Sequence, residues 1–216
     1  MRNLTQESFR TRKNHTAEGF KLVRVPDLIK TTLYEYWERN KSRMKEERWP
    51  KGTTIVNHWD APTYIVHVKR QHLRGGGDQW NEIEQVTKQS MEQWTGLKMR
   101  LGATHGIRVH THGAVIPPHV TKVPYMISAI VHVAQDLDED WVFELYNRGG
   151  TAVNLTLTPG SMLLFESSSL IHGVGIKQQI GVKLCKLLAH HSFRFFMMTA
   201  PLPVEGKIFC KHLFPF

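Results

Sequence analysis

Residues 125–173 read YMISAIVHVAQDLDEDWVFELYNRGGTAVNLTLTPGSMLLFESSSLIHG, and the pattern of this stretch predicts the fold class. It begins with Tyr125 to Ala134, a mostly apolar, β-branched run that is typical of a strand buried on both faces. Trp141 to Tyr146 and Thr151 to Leu157 follow, and between them lies Asn147-Arg148-Gly149-Gly150, a sequence that favours a hairpin turn. Several short strands at close spacing, separated by glycine and proline turns, predict an antiparallel barrel or jelly roll.

The sequence before this stretch predicts two amphipathic helices. The first begins after Pro26 and the second after Gly75-Gly76-Gly77-Asp78, which we interpret as a flexible loop with Asp78 as the helix cap. Their apolar stripes consist of Leu28, Ile29, Leu33, Tyr36 and Trp37 in the first helix and Trp80, Ile83, Val86 and Trp94 in the second. Because the helices precede the strands, we expect them to buttress the outside of the barrel.

Three further segments complete the expected architecture. The charged run from Asn40 to Arg48 predicts a solvated stretch, since its side chains are almost all polar. Thr53 to Val68 and Ile107 to Val109 are rich in β-branched residues and predict strands. The predicted fold class is therefore mainly β with flanking helices.

The net charge of +9 is concentrated at the two ends of the chain. Residues 1–52 hold 13 Lys/Arg against 7 Asp/Glu, residues 53–172 hold 9 against 11, and residues 173–216 hold 6 against 1. Basic ends can bind nucleic acid or anionic lipid, or they can form a solvated surface. We favour the solvated surface, because the sequence has no helix-turn-helix, zinc-finger or aromatic RNA-binding signature. A nucleic-acid partner is therefore not expected.

The composition predicts one cytoplasmic domain without a membrane span. The chain has 216 residues, of which 41% are hydrophobic, and this length suits a single domain. No apolar run reaches the roughly 18 residues that a membrane span needs, and residues 1–13 lack the apolar core of a signal peptide. Cys185 and Cys210 are too few for a disulfide framework, which favours a reducing compartment.

His119 and His172 are the strongest candidates for metal ligands among the 13 histidines. They lie 53 residues apart, on either side of a strand-rich stretch. A non-haem iron(II) oxygenase needs two imidazoles and one carboxylate on one face of the metal, with the opposite positions open. His119 and His172 suit two of these places, whereas Thr121 stands where the carboxylate is needed. Zinc is an alternative for the denser group of histidines, but their spacing matches no zinc signature and no thiolate is near. This group consists of His105, His110, His112 and His119.

The chain resembles the iron(II)- and 2-oxoglutarate-dependent dioxygenases of the prolyl 4-hydroxylase-like type, over roughly residues 18–173. The matching segments are Trp49-Pro50-Lys51-Gly52, Asn57-His58-Trp59, Arg74-Gly75-Gly76-Gly77, Trp94-Thr95-Gly96, Gly106-Ile107-Arg108-Val109, Pro118-His119-Val120, Val133 to Glu139, Asn154 to Gly160, Phe165-Glu166-Ser167 and Ile171-His172-Gly173. The resemblance implies a double-stranded β-helix, or jelly roll, with a helical buttress at its N-terminal side and iron at one open end.

The resemblance also implies roles for particular residues. His119 and His172 hold the iron, and the third-ligand position is occupied by Thr121, which can hydrogen-bond a metal-bound water but cannot supply a carboxylate charge. Relatives that bind halide at this place have a smaller residue there. His110, nine residues before His119, stands where the family often has a tyrosine that binds 2-oxoglutarate. Lys183, eleven residues after His172, is the first candidate to pair with the distal carboxylate of 2-oxoglutarate, and Lys177 is the second.

The resemblance fades beyond Gly173 and divides the chain into three parts. Residues 1–17 form a basic N-terminal extension, residues 18–176 form the oxygenase-like jelly-roll domain with its helical N-terminal part, and residues 177–216 form a divergent basic tail. A jelly roll that lacks its last strand would expose unpaired backbone groups at an edge.

Two functions are consistent with these residues. In the first, the protein uses iron(II) and 2-oxoglutarate, with ascorbate as reductant, to hydroxylate a C–H bond of an unidentified protein or small-molecule substrate. In the alternative, it is a catalytically impaired pseudo-oxygenase that acts as a binding or scaffold domain, because Thr121 replaces the carboxylate ligand.

Overall fold

The computed structural model of the protein describes residues 14–48, 61–137 and 141–174 together with the backbone of residues 189–199. Among the side chains of that last segment, only Met197 is described, and it is buried. Several residues named above lie outside the described ranges: 1–13, Trp49 to Gly52, the start of the Thr53 to Val68 segment with Asn57 to Trp59, Glu139, Lys177, Lys183, Cys185 and Cys210.

Two helices cover one side of the molecule, as the apolar stripes predict. Helix α1 spans Asp27–Asn40 and helix α2 spans Gly76–Thr95. The buried stripe residues are Ile29, Leu33, Tyr36 and Trp37 of α1 and Trp80 and Ile83 of α2. In the described part of the chain, neither helix is long and apolar enough to cross a membrane.

The predicted start of α2 is wrong by a few residues. Gly76 and Gly77 already belong to the helix, so only the beginning of the glycine run is a loop, and the cap residue is Gly75. Asp78 makes no capping hydrogen bond and lies in the first turn instead. A carboxylate there still interacts favourably with the positive end of the helix dipole.

The strands form two antiparallel sheets that face each other as in a jelly roll. The strands are β1 Phe20–Arg24, β2 Lys45–Glu46, β3 Thr63–Val66, β4 Met99–Thr111, β5 Ile116–His119, β6 Ile127–Asp136, β7 Val142–Tyr146, β8 Ala152–Thr156, β9 Ser161–Phe165, β10 His172–Val174 and β11 Ala189–Thr199. The larger sheet has seven strands in the order β1-β9-β6-β11-β4-β3-β2. The smaller sheet has four strands in the order β5-β10-β7-β8. The predicted jelly roll is thereby confirmed.

Strand β11 lies inside the larger sheet, although its residues 189–199 fall in the segment that the sequence analysis assigns to a tail. It pairs with β4 along Ala189↔Thr111 to Thr199↔Met99 and with β6 along Ala189↔Asp136 to Met197↔Ile127. The sheet therefore extends past residue 176. The segment is rich in aromatic residues, which favour strands, and β4 and β6 would each expose an unpaired edge without it.

Side-chain alternation along β6 separates two apolar layers. Ile127, Ala129 and Val131 are buried and pack in the cluster that contains the helices. Ile130 points the other way and packs between the two sheets. Successive side chains of a strand point to opposite faces, and β6 is buried on both faces, as its sequence predicts. Ser128 and His132 are the buried polar residues on the side of Ile130. The candidate site lies on the second side, between the sheets.

Candidate functional site

The pairing of β5 with β10 brings the two candidate ligands together. His119 ends β5, His172 begins β10, and the two residues are direct cross-strand partners. Their ring centroids are 4.4 Å apart. In a metal site, each imidazole nitrogen lies about 2.1 Å from the ion. If the two metal–nitrogen bonds meet at a right angle, the ring centroids are roughly 4.5 Å apart. The pair therefore has the spacing of two ligands of one metal ion.

Backbone carbonyl groups orient both imidazole rings in the same way. Nδ1 of His119 lies 2.9 Å from the carbonyl oxygen of Pro117, and Nδ1 of His172 lies 2.9 Å from that of Leu170. A carbonyl oxygen can only accept, so each Nδ1 carries the hydrogen and donates it. Nε2 is then the nitrogen with a lone pair in the neutral ring, which is the form that binds a metal.

Aromatic packing holds the ring of His172 in place. Phe143 stacks on it with centroids 6.0 Å apart, and Phe165 meets its edge with centroids 4.8 Å apart. His172 is 1% exposed, whereas His119 is half-buried. Solvent and ligands would therefore reach a bound ion from the side of His119.

The two histidines open onto a small cavity between the sheets. It is lined by His105, Gly106, Arg108, His110, Ile116, His119, Ile130, Trp141, Phe143, His172, Gly173 and Val174. Its volume is about 30 Å³, which leaves room for a metal ion or about two water molecules. A larger ligand therefore requires lining side chains to move.

Strand β4 supplies one wall of this cavity by alternation. Gly106, Arg108 and His110 line the cavity, whereas Ile107 and Val109 point to the helices. A Cβ on Gly106 would lie 2.3 Å from the carbonyl oxygen of Val66 on the neighbouring strand β3, so only glycine fits there.

Arg108 forms a partly buried ion pair at the edge of the cavity. Its Nε and Nη2 donate to the two carboxylate oxygens of Glu47 over 2.7 and 2.6 Å. The side chains of Arg108 and Glu47 are only 12% and 10% exposed. Burial alone would raise the pKa of Glu47, but the charge and the hydrogen bonds of Arg108 outweigh it, and the pKa lies below its ordinary value.

The prediction that Asn40 to Arg48 is a solvated stretch is therefore wrong at Glu47. It is also wrong at Asn40, which is 7% exposed and donates to the carbonyl oxygen of Tyr36 over 2.9 Å. The residues between them are exposed as expected. A charge run predicts solvation only on average, and a partner 61 residues away in sequence reverses it for Glu47.

Thr121, and not an acidic residue, stands where the resemblance predicts a third metal ligand. Thr121 is buried, and its backbone N–H donates to the carbonyl oxygen of Ser167 over 2.8 Å. Among the residues that the structure describes, no three histidine, cysteine, aspartate or glutamate side chains are grouped closely enough to hold a metal ion. The side chains therefore fit two ligands of a metal centre and not a complete facial triad.

The structure gathers some of the predicted site residues and leaves others aside. His110 lines the same cavity as His119 and His172, and its ring lies 5.5 Å from that of Trp141. Lys183 lies outside the described residues. Arg108 is not among the predicted site residues, although a residue two before His110 on a strand has to point to the same side. Glu47 is not among them either, because no local pattern in the sequence indicates its contact with Arg108.

The fold is shared with solved structures of iron- and 2-oxoglutarate-dependent oxygenases. A prolyl-4-hydroxylase from Pseudomonas putida matches with a TM-score of 0.58 and 14% identity, over 91% of this chain and 98% of that one. A Trichoplax adhaerens prolyl hydroxylase, solved with a hypoxia inducible factor peptide fragment, matches with a TM-score of 0.59 and 12% identity, over 91% and 89%. A 2OG-Fe(II) oxygenase family oxidoreductase from Burkholderia pseudomallei matches with a TM-score of 0.55 and 12% identity, over 83% and 85%.

Comparisons of sequence add nothing to this likeness. No protein-family model matches the chain, and no curated protein matches it either. At 12 to 14% identity the structures show a common fold, and a fold hosts many functions. The chemistry of the site has to be argued from its own residues.

Proposed function

We propose that this protein is an iron(II)/2-oxoglutarate dioxygenase-like protein that keeps the two histidine ligands and has lost most or all hydroxylase turnover. The observation that carries the proposal is the pair His119 and His172, adjacent across β5 and β10 with both rings oriented by backbone carbonyls. The jelly-roll fold shared with 2OG-Fe(II) oxygenases supports it. The missing carboxylate at Thr121 is the reason for the impairment.

In this proposal His119 and His172 hold the metal through Nε2, and the remaining residues shape its surroundings. An iron(II) ion bound there would supply the redox chemistry for which 2-oxoglutarate and dioxygen are cosubstrates in such enzymes. Phe143 and Phe165 pack against the ring of His172, which keeps water away from it and fixes the orientation of the ring. His110, on the adjacent wall, is the residue that we propose as a hydrogen-bond partner of a bound oxo acid.

The loss of one carboxylate has two physical consequences. Thr121 can donate or accept a hydrogen bond but adds no negative charge, so the site retains the dication less tightly. An ion held by two imidazoles also has one more coordination position that solvent occupies, so the protein fixes its coordination geometry less firmly. We therefore expect the protein to act through binding of a partner, which is not identified, rather than through turnover.

The experiment that tests the proposal compares the natural chain with Thr121→Asp. Iron(II), ascorbate and 2-oxoglutarate are supplied, metal affinity is measured by competition with a chelating dye, and succinate is measured after incubation. We expect weak metal binding and no succinate above background for the natural chain. We expect Thr121→Asp to bind the metal at least about tenfold more tightly, because it restores a charged ligand beside His119.

A matched control places the same charge elsewhere. Thr156 is exposed on β8, so Thr156→Asp changes the net charge without approaching the histidine pair and should behave like the natural chain. Succinate formed by the natural chain but not by His119→Ala would show an active dioxygenase and would refute the impairment. Equal metal affinity of Thr121→Asp and Thr156→Asp would refute the view that position 121 is the missing ligand.

A further inference from the structure

The ion pair of Arg108 and Glu47 has the geometry of a bound carboxylate ligand. A guanidinium that meets both oxygens of one carboxylate through two parallel N–H donors is the arrangement with which proteins recognise free carboxylates. Here the two distances are 2.7 and 2.6 Å, and the carboxylate comes from the same chain. Arg108 also lines the cavity that contains the histidine pair. The cation that faces the cavity is thus already bound by an internal carboxylate.

The composition of the cavity wall favours an anion. Within the described part of the chain, its lining contains the guanidinium of Arg108 and four imidazoles, and no aspartate or glutamate. A permanent positive charge in a wall without acidic residues attracts negatively charged ligands. Glu47 therefore neutralises the one lining residue that is charged at every physiological pH.

Thr63 of the neighbouring strand β3 also holds Glu47. Its backbone N–H donates to the carbonyl oxygen of Thr63 over 2.8 Å, and Thr63 Oγ1 donates to Glu47 Oε2 over 2.9 Å. Glu47 directly follows β2, a strand of two exposed residues at the edge of the larger sheet. Short edge elements with few buried contacts open at lower free energy than the core of a sheet.

We propose that Arg108 is a carboxylate-binding residue of the cavity and that Glu47 is an internal ligand that competes with an external carboxylate for it. The proposal rests on the proposed function only in taking the cavity beside the histidine pair as the ligand site. It adds a form of regulation, since the external ligand binds when Glu47 leaves. The departure of Glu47 also frees room beside a cavity of about 30 Å³.

The expected gain in affinity depends on the fraction of molecules in which Glu47 is bound to Arg108. When only a fraction of the molecules is competent to bind, the apparent dissociation constant is the intrinsic one divided by that fraction. If Glu47 is bound to Arg108 in about nine molecules of ten, removal of its charge increases the affinity for an external carboxylate about tenfold.

The test uses the full chain, stripped of metal on a chelating resin, and calorimetric titration with 2-oxoglutarate and with glutarate. Glu47→Gln should bind at least one of them about tenfold more tightly than the natural chain. A gain for 2-oxoglutarate alone supports a cosubstrate carboxylate, and a gain for both supports recognition of carboxylates in general. The gain should disappear in the double variant Glu47→Gln/Arg108→Gln.

The control removes a more exposed ion pair away from the cavity. Glu84 of α2 pairs over 2.9 Å with Arg70, which precedes α2, and the side chains of Glu84 and Arg70 are 18% and 58% exposed. Glu84→Gln should leave carboxylate affinity unchanged. A gain in Glu84→Gln equal to that in Glu47→Gln, or a gain that persists in the double variant, would overturn the proposal.

A second variant keeps the test decisive if Glu47→Gln does not fold. Thr63→Val keeps the size of the side chain, removes the hydroxyl that holds Glu47, and should give a smaller gain of the same kind. Thermal unfolding shows whether each variant is folded. The proposal would be overturned if folded Glu47→Gln or Thr63→Val bound both ligands with the affinities of the natural chain. Because no metal is present, this outcome is separate from metal binding at His119 and His172, which the dye competition measures.

Discussion

Gly173 is the residue on which the approach of the two histidines depends most directly. A Cβ at this position would lie 2.8 Å from the carbonyl oxygen of Ile116 and 3.2 Å from the nitrogen of Pro118. Both atoms belong to the backbone of β5, which cannot turn aside as a side chain could. The absence of a side chain next to His172 is therefore what lets β10 lie against β5.

A first prediction concerns Gly173→Ala. The added methyl group should push β10 from β5, separate the two imidazoles, and weaken metal binding at least about tenfold, since metal sites tolerate only small displacements of their ligands. The overpacked backbone should also cost about 1–3 kcal/mol of unfolding free energy. Metal competition and urea unfolding measure the two effects. In the control Gly77→Ala, a helical position with open space around it, metal affinity should not change.

A second prediction concerns Glu47 and acid. Burial raises the pKa of Glu47, but the charge and the hydrogen bonds of Arg108 outweigh this effect. The pKa in the folded protein therefore lies below the ordinary value of 4.5. A group with a lowered folded-state pKa stabilises the protein above its unfolded-state pKa and loses that contribution as the pH falls through its folded-state pKa. The difference in unfolding free energy between the natural chain and Glu47→Gln should therefore be constant above about pH 5 and shrink below it. A difference that stays constant in acid would contradict the pairing with Arg108.

At the scale of elements, the loop between β9 and β10 connects the site to the N-terminal side of the chain. The carboxylate of Glu166, which is 1% exposed, accepts hydrogen bonds from the backbone N–H groups of His15 and Thr16 and from Arg148. The same loop offers the Leu170 carbonyl that orients His172. Residues 15 and 16 of the predicted N-terminal extension are therefore attached to the loop that carries a candidate ligand.

A third prediction follows for Glu166→Leu. The change removes a buried acceptor from several donors at once and leaves Arg148, whose side chain is 22% exposed, without its carboxylate. We expect a loss of about 2–3 kcal/mol in unfolding free energy, less than for a fully buried pair because water can still reach Arg148. Denaturant unfolding measures it.

The exposed pair of Glu38 and Lys41 provides the comparison. Its side chains are 40% and 52% exposed, so Glu38→Leu should change the unfolding free energy by no more than about 0.5 kcal/mol. Similar losses for Glu166→Leu and Glu38→Leu would show that the buried network does not stabilise the loop.

At the scale of the whole molecule, metal binding and folding should be coupled. The two candidate ligands come from different strands, so they are adjacent only in the folded chain, and an ion that binds both would stabilise that state. At about 100 times the dissociation constant, the stabilisation is about 2.7 kcal/mol.

A fourth prediction is that iron(II), added without oxygen, raises the melting temperature of the natural chain but not that of His119→Ala. His112→Ala is the matched control, because His112 is exposed and is not among the residues that line the cavity. Its melting temperature should rise with iron(II) as that of the natural chain does. An equal rise in His119→Ala would place the metal elsewhere.

Much of the fold could be predicted from local patterns. The stripes of α1 and α2, the doubly buried β6 and the hairpin at Asn147 to Gly150 follow from side-chain periodicity and turn chemistry, which act between residues close in sequence. The pair His119 and His172 could be predicted as well, because iron chemistry restricts which residue types can serve. The replacement of the expected carboxylate by Thr121 can also be read directly from the sequence.

The two helices, the strands between residues 125 and 165, the jelly-roll class and the pair of candidate ligands could be predicted from the sequence alone, because side-chain periodicity and ligand chemistry depend on the identity of each residue. The neighbours of each strand depend on tertiary packing, which puts β11 between β4 and β6. The same packing brings Glu47 to Arg108 across 61 residues and Gly173 against the backbone of β5. These contacts depend on the path of the whole chain, since burial and charge pairing are settled only when distant segments are packed together.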